Sequence, residues 1–138
     1  MIIVSSCLAG INCRYDGDSN SSSKVIDLVN SGEAIPLCPE VLAGLTTPRI
    51  PCEIILRNGT PFVINKKGED MTNAFLEGAR KTLEIAKIVG AKKAILKAKS
   101  PSCGCGKIYD GSFSGTLIDG NGLTATLLLE NGIEVEVI

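Results

Sequence analysis

Short apolar runs alternate along this chain with segments whose apolar residues recur at helical spacing. The runs predict buried strands at 2–7, 34–38, 93–98 and 133–138. The helical pattern predicts three helices, at 24–30, 70–89 and 123–130. Gly90 directly follows the longest of these segments, where a helix commonly ends.

One pair of runs has a different pattern. EIIL and FVIN lie on either side of Asn58-Gly59, a dipeptide typical of a tight turn between antiparallel strands. A β-hairpin is therefore expected there. The glycine- and proline-rich segments 8–21, 39–53 and 100–115 predict loops, with room for one helical turn in the second.

Alternation of strands and helices with short connections predicts an α/β fold. We expect a compact, mainly parallel sheet flanked by helices, Rossmann-like in character, with the hairpin as an insertion. Pro36 places the second strand near an edge of that sheet. The length of 138 residues predicts a single domain over 1–138.

Composition narrows the possible partners. The net charge of −1 gives no general attraction to duplex nucleic acid or to a membrane surface. Aromatic residues make up only 4% of the chain, too few for a platform that binds single strands. The first residues lack the charged segment of a secretion signal, and the expected location is the cytoplasm.

The chain has six cysteines and no histidine. Cytoplasmic thiols stay reduced, so these cysteines are expected to bind metal or to react rather than to form disulfides. The absence of histidine excludes Ser-His-Asp and Cys-His catalysis and every zinc site that requires imidazole. Soft thiolates alone favour iron–sulfur clusters or zinc.

Three cysteines follow predicted parallel strands. Cys7 and Cys38 end the first two strands, and Cys103 lies just beyond the strand 93–98. The carboxyl ends of parallel strands lie at one edge of a sheet, where ligands bind. The three thiols are therefore expected to meet, although they are far apart along the chain. Three thiolates suit a four-iron cluster with one iron open to substrate.

The other cysteines leave alternatives open. Cys13 is a rival ligand in the first loop, and Cys105 is either an alternate ligand or a neighbour of Cys103 in a glycine-rich turn. Cys52 is interpreted as a small buried hydrophobe. Ordinary buried cysteines throughout are the plain alternative to a metal site.

Polar residues accompany the cysteines. Glu40 in Cys-Pro-Glu is a candidate general acid or base, and Ser100 and Ser102 flank Pro101 ahead of Cys103. The planar guanidinium of Arg14 can donate hydrogen bonds to a carbonyl partner, and the ring of Tyr15 can stack on a heterocycle.

Four ordered motifs carry a resemblance to a known family. They are SCLAGINCRYDG, PLCPEVLAGLTTPRIPCEI, GEDMTNAFLEGA and SPSCGCGKIYDGSFSG, and they extend over essentially the whole chain. The chain resembles the thiouracil desulfurase family. The resemblance implies a [4Fe-4S] cluster on the three cysteines that match Cys7, Cys38 and Cys103. It also implies that the open iron captures the sulfur of a thiolated pyrimidine such as 2-thiouracil.

The same resemblance implies that water replaces the sulfur, giving uracil and sulfide without net redox chemistry. Glu40 and Ser100 match the family's proposed acid/base and substrate-contact positions, and Arg14, Tyr15 and Ser102 are the further expected substrate contacts. Three other functions remain open from the residues alone: an iron–sulfur or zinc module without turnover, a reactive-thiol protein, and a small-molecule binding domain. The oligomeric state is open.

Overall fold

The computed structural model describes all 138 residues. Its strands are β1 (Ile2–Ser5), β2 (Ala34–Leu37), β3 (Cys52–Arg57), β4 (Thr60–Asn65), β5 (Lys93–Leu96), β6 (Lys107–Tyr109), β7 (Leu117–Asp119) and β8 (Glu134–Val137). Its α-helices are α1 (Ser23–Asn30), α2 (Pro39–Leu42), α3 (Thr72–Ile88) and α4 (Leu123–Glu130). None of the four α-helices combines the length and the apolar character that a membrane span requires.

Four strands form the central sheet in the order β2-β1-β5-β8, and every neighbouring pair is parallel. The predicted α/β class and the predicted parallel sheet are confirmed. Strand β2 is an edge strand, as Pro36 indicated, because proline cannot donate a ladder hydrogen bond.

Side chains of the sheet alternate between two apolar layers. Ile3 and Leu96 face one core, which α3 and α4 cover. Val4 and Ile95 face the other, to which α1 contributes Val25. This alternation follows from the two-residue period of a strand, and burial on both faces makes β1 and β5 nearly continuous apolar runs.

The longest helix, α3, begins two residues later and ends one residue earlier than the predicted segment 70–89. Asp70 pairs with Ile64 in a strand-like bridge, and its carboxylate accepts a hydrogen bond from the Thr72 N–H at 2.9 Å. These contacts keep Asp70 outside the helix. At the other end, Gly90 has φ of 68°, a conformation that glycine adopts without steric cost.

The hairpin is confirmed. Strands β3 and β4 pair in antiparallel register from Cys52–Asn65 to Arg57–Thr60. Asn58 and Gly59 both have positive φ, at 53° and 78°. Positive φ angles at both residues of a two-residue connection are typical of a type I′ turn, whose backbone twist matches that of the flanking strands.

Other predicted boundaries were also wrong, and β5 ends at Leu96 rather than at residue 98. The first strand ends at Ser5, because residues 6–9 form a 3-10 helix that Gly10 closes with φ of 89°. The predicted loop 100–115 contains β6, which pairs with β7 in a second hairpin. Strands of three residues among glycines and serines carry too little hydrophobic period to be recognised.

Candidate active site

A cavity of about 450 Å³ opens at the carboxyl edge of the central sheet. It lies where the chain leaves β1, β2 and β5, because the loops after these strands supply most of its lining. This is the edge where parallel α/β sheets bind ligands. Five of the six cysteines line it: Cys7, Cys13, Cys38, Cys52 and Cys103.

Local structure accounts for the position of each predicted metal ligand. Cys7 lies in the 3-10 helix after β1 and is buried. Cys38 is the N-cap residue of α2, directly after β2. Cys103 lies in the turn after β5, where its N–H donates to Ser100 Oγ at 2.7 Å. All three thiols are free and reach the same cavity.

Cys13 lies with these thiols rather than apart from them. Its side chain lies close enough to the thiols of both Cys7 and Cys38 to influence their protonation. The contact with Cys13 lowers the pKa of Cys7, whereas the pKa of Cys13 itself is raised to about 11. The structure therefore leaves Cys13 as an alternate ligand.

Burial and neighbouring groups raise the pKa of the other two proposed ligand cysteines. Burial raises the pKa of Cys103 to about 12, and Glu40 nearby acts in the same direction. The pKa of Cys38 is raised as well, chiefly by the contact with Cys13 and then by burial. Without a cation, these groups are therefore neutral thiols, and binding of metal would displace their protons.

The two other cysteines differ in their placement. Cys52, at the start of β3, is half-buried and lines the cavity, and burial raises its pKa to about 11. Cys105 does not line the cavity and packs instead against the core beneath α4. The interpretation of Cys105 as a neighbour of Cys103 fits this position.

Glu40 is the centre of a polar network in the cavity. Its Oε2 accepts from Arg49 Nη2 at 3.2 Å, and its Oε1 accepts from Ser102 Oγ at 3.0 Å. The Cys38 thiol lies 3.5 Å from Oε2. Both oxygens of the carboxylate are thus oriented by partners on two different loops.

The turn that carries Ser100, Ser102 and Cys103 is held tightly. Ser100 Oγ and Ser102 Oγ are 3.3 Å apart, and Ser102 Oγ also lies 3.6 Å from the Cys103 sulfur. The Ser102 carbonyl accepts from the Thr124 and Ala125 N–H groups in the first turn of α4, at 3.0 and 3.1 Å. A Cβ at Gly104 would lie 2.7 Å from the Ser100 carbonyl oxygen, so the turn requires glycine there.

Arg14 and Tyr15 reach the cavity from the first loop. The Arg14 guanidinium donates to the Asn20 side-chain oxygen, pairs with Asp16 at 3.6 Å and lies 5.6 Å from the centre of the Tyr15 ring. Tyr15 is 43% exposed, so it lies at the mouth of the cavity. The structure thus brings all eight predicted site residues to one cavity.

Two basic residues, Arg49 and Lys97, also line this cavity. Arg49 binds Glu40 and also donates to the Cys13 carbonyl at 2.9 Å, which joins the first two loops. Lys97 follows β5 and is half-buried near Cys7; burial lowers its pKa. The glycine- and proline-rich segment 39–53 predicted a loop around Arg49, but no pattern identified the partner of its side chain.

The donor set fits a thiolate-bound cluster. No three His, Cys, Asp or Glu side chains lie close enough to hold a single metal ion. An iron–sulfur cluster has a different requirement, because each of its thiolates binds a different iron. Three cysteines around one cavity, with no histidine in the chain, match that requirement.

The parallel sheet and the cavity at its carboxyl edge define the class of protein: an α/β protein whose site is built on cysteine and carboxylate side chains. The family model described as 2-thiouracil desulfurase matches residues 2–138. The chain therefore belongs to the 2-thiouracil desulfurase family, as the four motifs indicated.

Two relatives extend the comparison. The solved structure of the [4Fe-4S]-dependent thiouracil desulfidase TudS superposes with a TM-score of 0.90 at 43% sequence identity, covering 99% of this chain and 89% of that one. The Bacillus subtilis (strain 168) protein YbbK, described as uncharacterized, is 50% identical over 141 residues, covering 98% of this chain and 93% of YbbK. The α/β fold is thus shared with a solved relative.

Proposed function

We propose that this protein removes the sulfur of a thiolated pyrimidine such as 2-thiouracil, using a [4Fe-4S] cluster held by Cys7, Cys38 and Cys103. Membership of the family and the likeness to TudS support the activity. The observation that carries the proposal for this chain is the meeting of three free thiols with the Glu40 network in one cavity.

The reaction is a non-redox exchange at one carbon atom. The C=S bond of 2-thiouracil breaks, a C=O bond forms with the oxygen of water, and the products are uracil and hydrogen sulfide. When bound, the cluster supplies an iron without a protein thiolate, a thiophilic Lewis acid that holds the leaving sulfur.

Glu40 moves the proton in this proposal. Arg49 and Ser102 orient its two carboxylate oxygens, so one oxygen can take a proton from the attacking water. The same group then returns that proton to the ring nitrogen or to the leaving sulfide. No histidine is present to do this, and Glu40 is the carboxylate in direct contact with the cysteine site.

Ser100 and Ser102 have distinct parts in the proposal. Ser102 donates to Glu40, which fixes the carboxylate relative to the Cys103 turn. Ser100 shapes that turn by accepting from the Cys103 N–H, and its hydroxyl also lies at the cavity, where it can contact the pyrimidine. Arg14 and Tyr15 provide the remaining substrate contacts at the mouth of the cavity. Arg14 donates to a carbonyl oxygen of the pyrimidine, and the Tyr15 ring packs against the face of the pyrimidine ring.

We further propose that residues 1–138 form one iron–sulfur domain that works in the cytoplasm as a hydrolase. The net charge of −1 favours a free small molecule as the substrate over duplex nucleic acid or a membrane surface. A cavity of about 450 Å³ matches the size of small-molecule sites.

Anaerobic reconstitution with iron and sulfide tests this function. We expect a brown protein with about four irons per chain that consumes 2-thiouracil and releases uracil. Bound iron without conversion of 2-thiouracil would leave a cluster module and exclude the desulfurase. A colourless protein without iron would exclude both.

A further inference from the structure

The few aromatic side chains of this protein are concentrated at the cavity. The chain has two tyrosines, three phenylalanines and no tryptophan. All but one line the cavity: Tyr15, Phe75, Tyr109 and Phe113. The exception is Phe62, on β4, whose ring lies 5.0 Å from the Arg57 guanidinium. A cavity lined by several aromatic rings is suited to binding a planar heterocycle.

Phe113 is placed differently from the other aromatic residues of the site. Phe75 is buried in the core, and Tyr15 is largely exposed below Arg14. Phe113 is half-buried in the loop between β6 and β7, and its φ is 56°. A bulky residue rarely adopts this left-handed conformation, so surrounding contacts must hold it there.

Glu53 provides those contacts. Its Oε1 accepts hydrogen bonds from the N–H groups of Gly111 and Phe113, each at 3.0 Å. Gly111 allows the close approach, because a Cβ there would overlap Ile55 and lie 2.9 Å from the Ile54 carbonyl oxygen. The loop is therefore fixed to β3 on the side that carries Glu53.

We propose that Phe113 is a specificity-determining residue, whose ring forms a wall on which the planar ring of the substrate stacks, and that Glu53 is the positioning residue that holds it. This inference rests on the proposed function, which supplies a planar thiolated pyrimidine. Stacking recognises a flat conjugated ring rather than its substituents. Phe113 therefore selects for the planarity of the ring rather than for its thiocarbonyl group.

The matched pair Phe113→Leu and Phe62→Leu tests this inference in the cluster-loaded protein. Phe113→Leu is expected to raise the KM for 2-thiouracil by about tenfold with kcat little changed, within the range for stacking of one base. Phe62→Leu removes a ring that is also half-buried but lies outside the cavity, and it is expected to leave both constants unchanged. Phe113→Tyr keeps a ring and is expected to retain the low KM.

The substrate 5,6-dihydro-2-thiouracil separates stacking from general damage, because it keeps the thiocarbonyl but loses ring planarity. Wild type is expected to prefer 2-thiouracil, and Phe113→Leu is expected to reduce that preference. Glu53→Ala is expected to act like Phe113→Leu, Glu53→Gln to restore part of the effect, and the double variant Glu53→Ala, Phe113→Leu to be no worse than either alone.

Failure of the inference differs from failure of the function. If wild type converts 2-thiouracil and the two variants Phe113→Leu and Phe62→Leu have the same KM and kcat, the stacking role of Phe113 is wrong. The proposed function is then unaffected. If wild type converts nothing, equilibrium dialysis with labelled uracil decides: weaker binding to Phe113→Leu than to Phe62→Leu supports the wall. Equal binding, or no binding to wild type, overturns it.

Discussion

Glu40 and Arg49 form an ion pair between two loops of the cavity, with Glu40 Oε2 and Arg49 Nη2 3.2 Å apart. The side chains are only 15% and 11% exposed, respectively, so solvent screens this pair weakly. Arg49 also holds the Cys13 carbonyl, and its backbone N–H donates to the Tyr15 carbonyl at 2.7 Å. One arginine thus joins the proposed catalytic carboxylate to the first loop.

Removal of this arginine should affect catalysis more than cluster binding. Arg49→Ala leaves Glu40 without its cation, and a carboxylate displaced by about 1 Å can lose about a hundredfold in kcat. The iron content should stay at the wild-type level, since no proposed ligand is changed. Arg49→Lys keeps the positive charge but loses the planar guanidinium, which can donate to two acceptors at once. This variant should therefore retain more of the wild-type rate than Arg49→Ala.

Stability should change in the same variant. Breaking a pair this weakly exposed is expected to cost about 2 kcal/mol of unfolding free energy, measured by urea denaturation under anaerobic conditions. Lys24→Ala, which breaks an exposed pair with Glu136, is the control and should cost less than about 1 kcal/mol. An Arg49→Ala variant as stable and active as wild type would contradict the assigned role.

Glu40→Gln separates proton transfer from cluster binding. The amide can still accept from Ser102, but it cannot take a proton from water. We expect full iron content and a loss in kcat of about 10² to 10⁴. Glu84→Gln, on the exposed face of α3, is the control. Turnover by Glu40→Gln at the wild-type rate would remove Glu40 from the reaction.

The cysteine variants test the ligand set. Cys7→Ser, Cys38→Ser and Cys103→Ser should each fail to hold a cluster, measured as iron per chain and as loss of the visible absorption. Cys105→Ser is the matched control, because Cys105 follows β5, as Cys103 does, but does not line the cavity. A brown, active Cys38→Ser protein would contradict the assignment, and loss of iron in Cys13→Ser would make Cys13 a ligand.

Gly78 on α3 should be intolerant of any side chain. A Cβ there would overlap the Pro39 carbonyl oxygen, at the start of the helix that carries Glu40. Gly78→Ala is expected to cost about 1–3 kcal/mol of stability, as for other overpacked sites. Leu76→Ala, at a position 51% exposed on the same helix, should change stability by about 0.5 kcal/mol or less.

The parallel sheet and the placement of Cys7, Cys38 and Cys103 at its edge could be predicted from sequence, because strand periodicity and the strand-end rule depend on local pattern. Arg49 could not be paired with Glu40 in advance, since loop conformation selects the partner. Phe113 was missed for a similar reason: its role depends on Glu53, which lies on a distant hairpin. The short β6–β7 hairpin has no usable hydrophobic period.

The proposed reaction exchanges sulfur for oxygen by hydrolysis, without net redox change. Cluster-loaded protein should be incubated anaerobically with 2-thiouracil in ¹⁸O-labelled water, with no added reductant or oxidant, and the products analysed by mass spectrometry and sulfide assay. We expect equal amounts of uracil and sulfide, with one ¹⁸O atom in each uracil. Uracil without label, or turnover only when a redox partner is added, would contradict it.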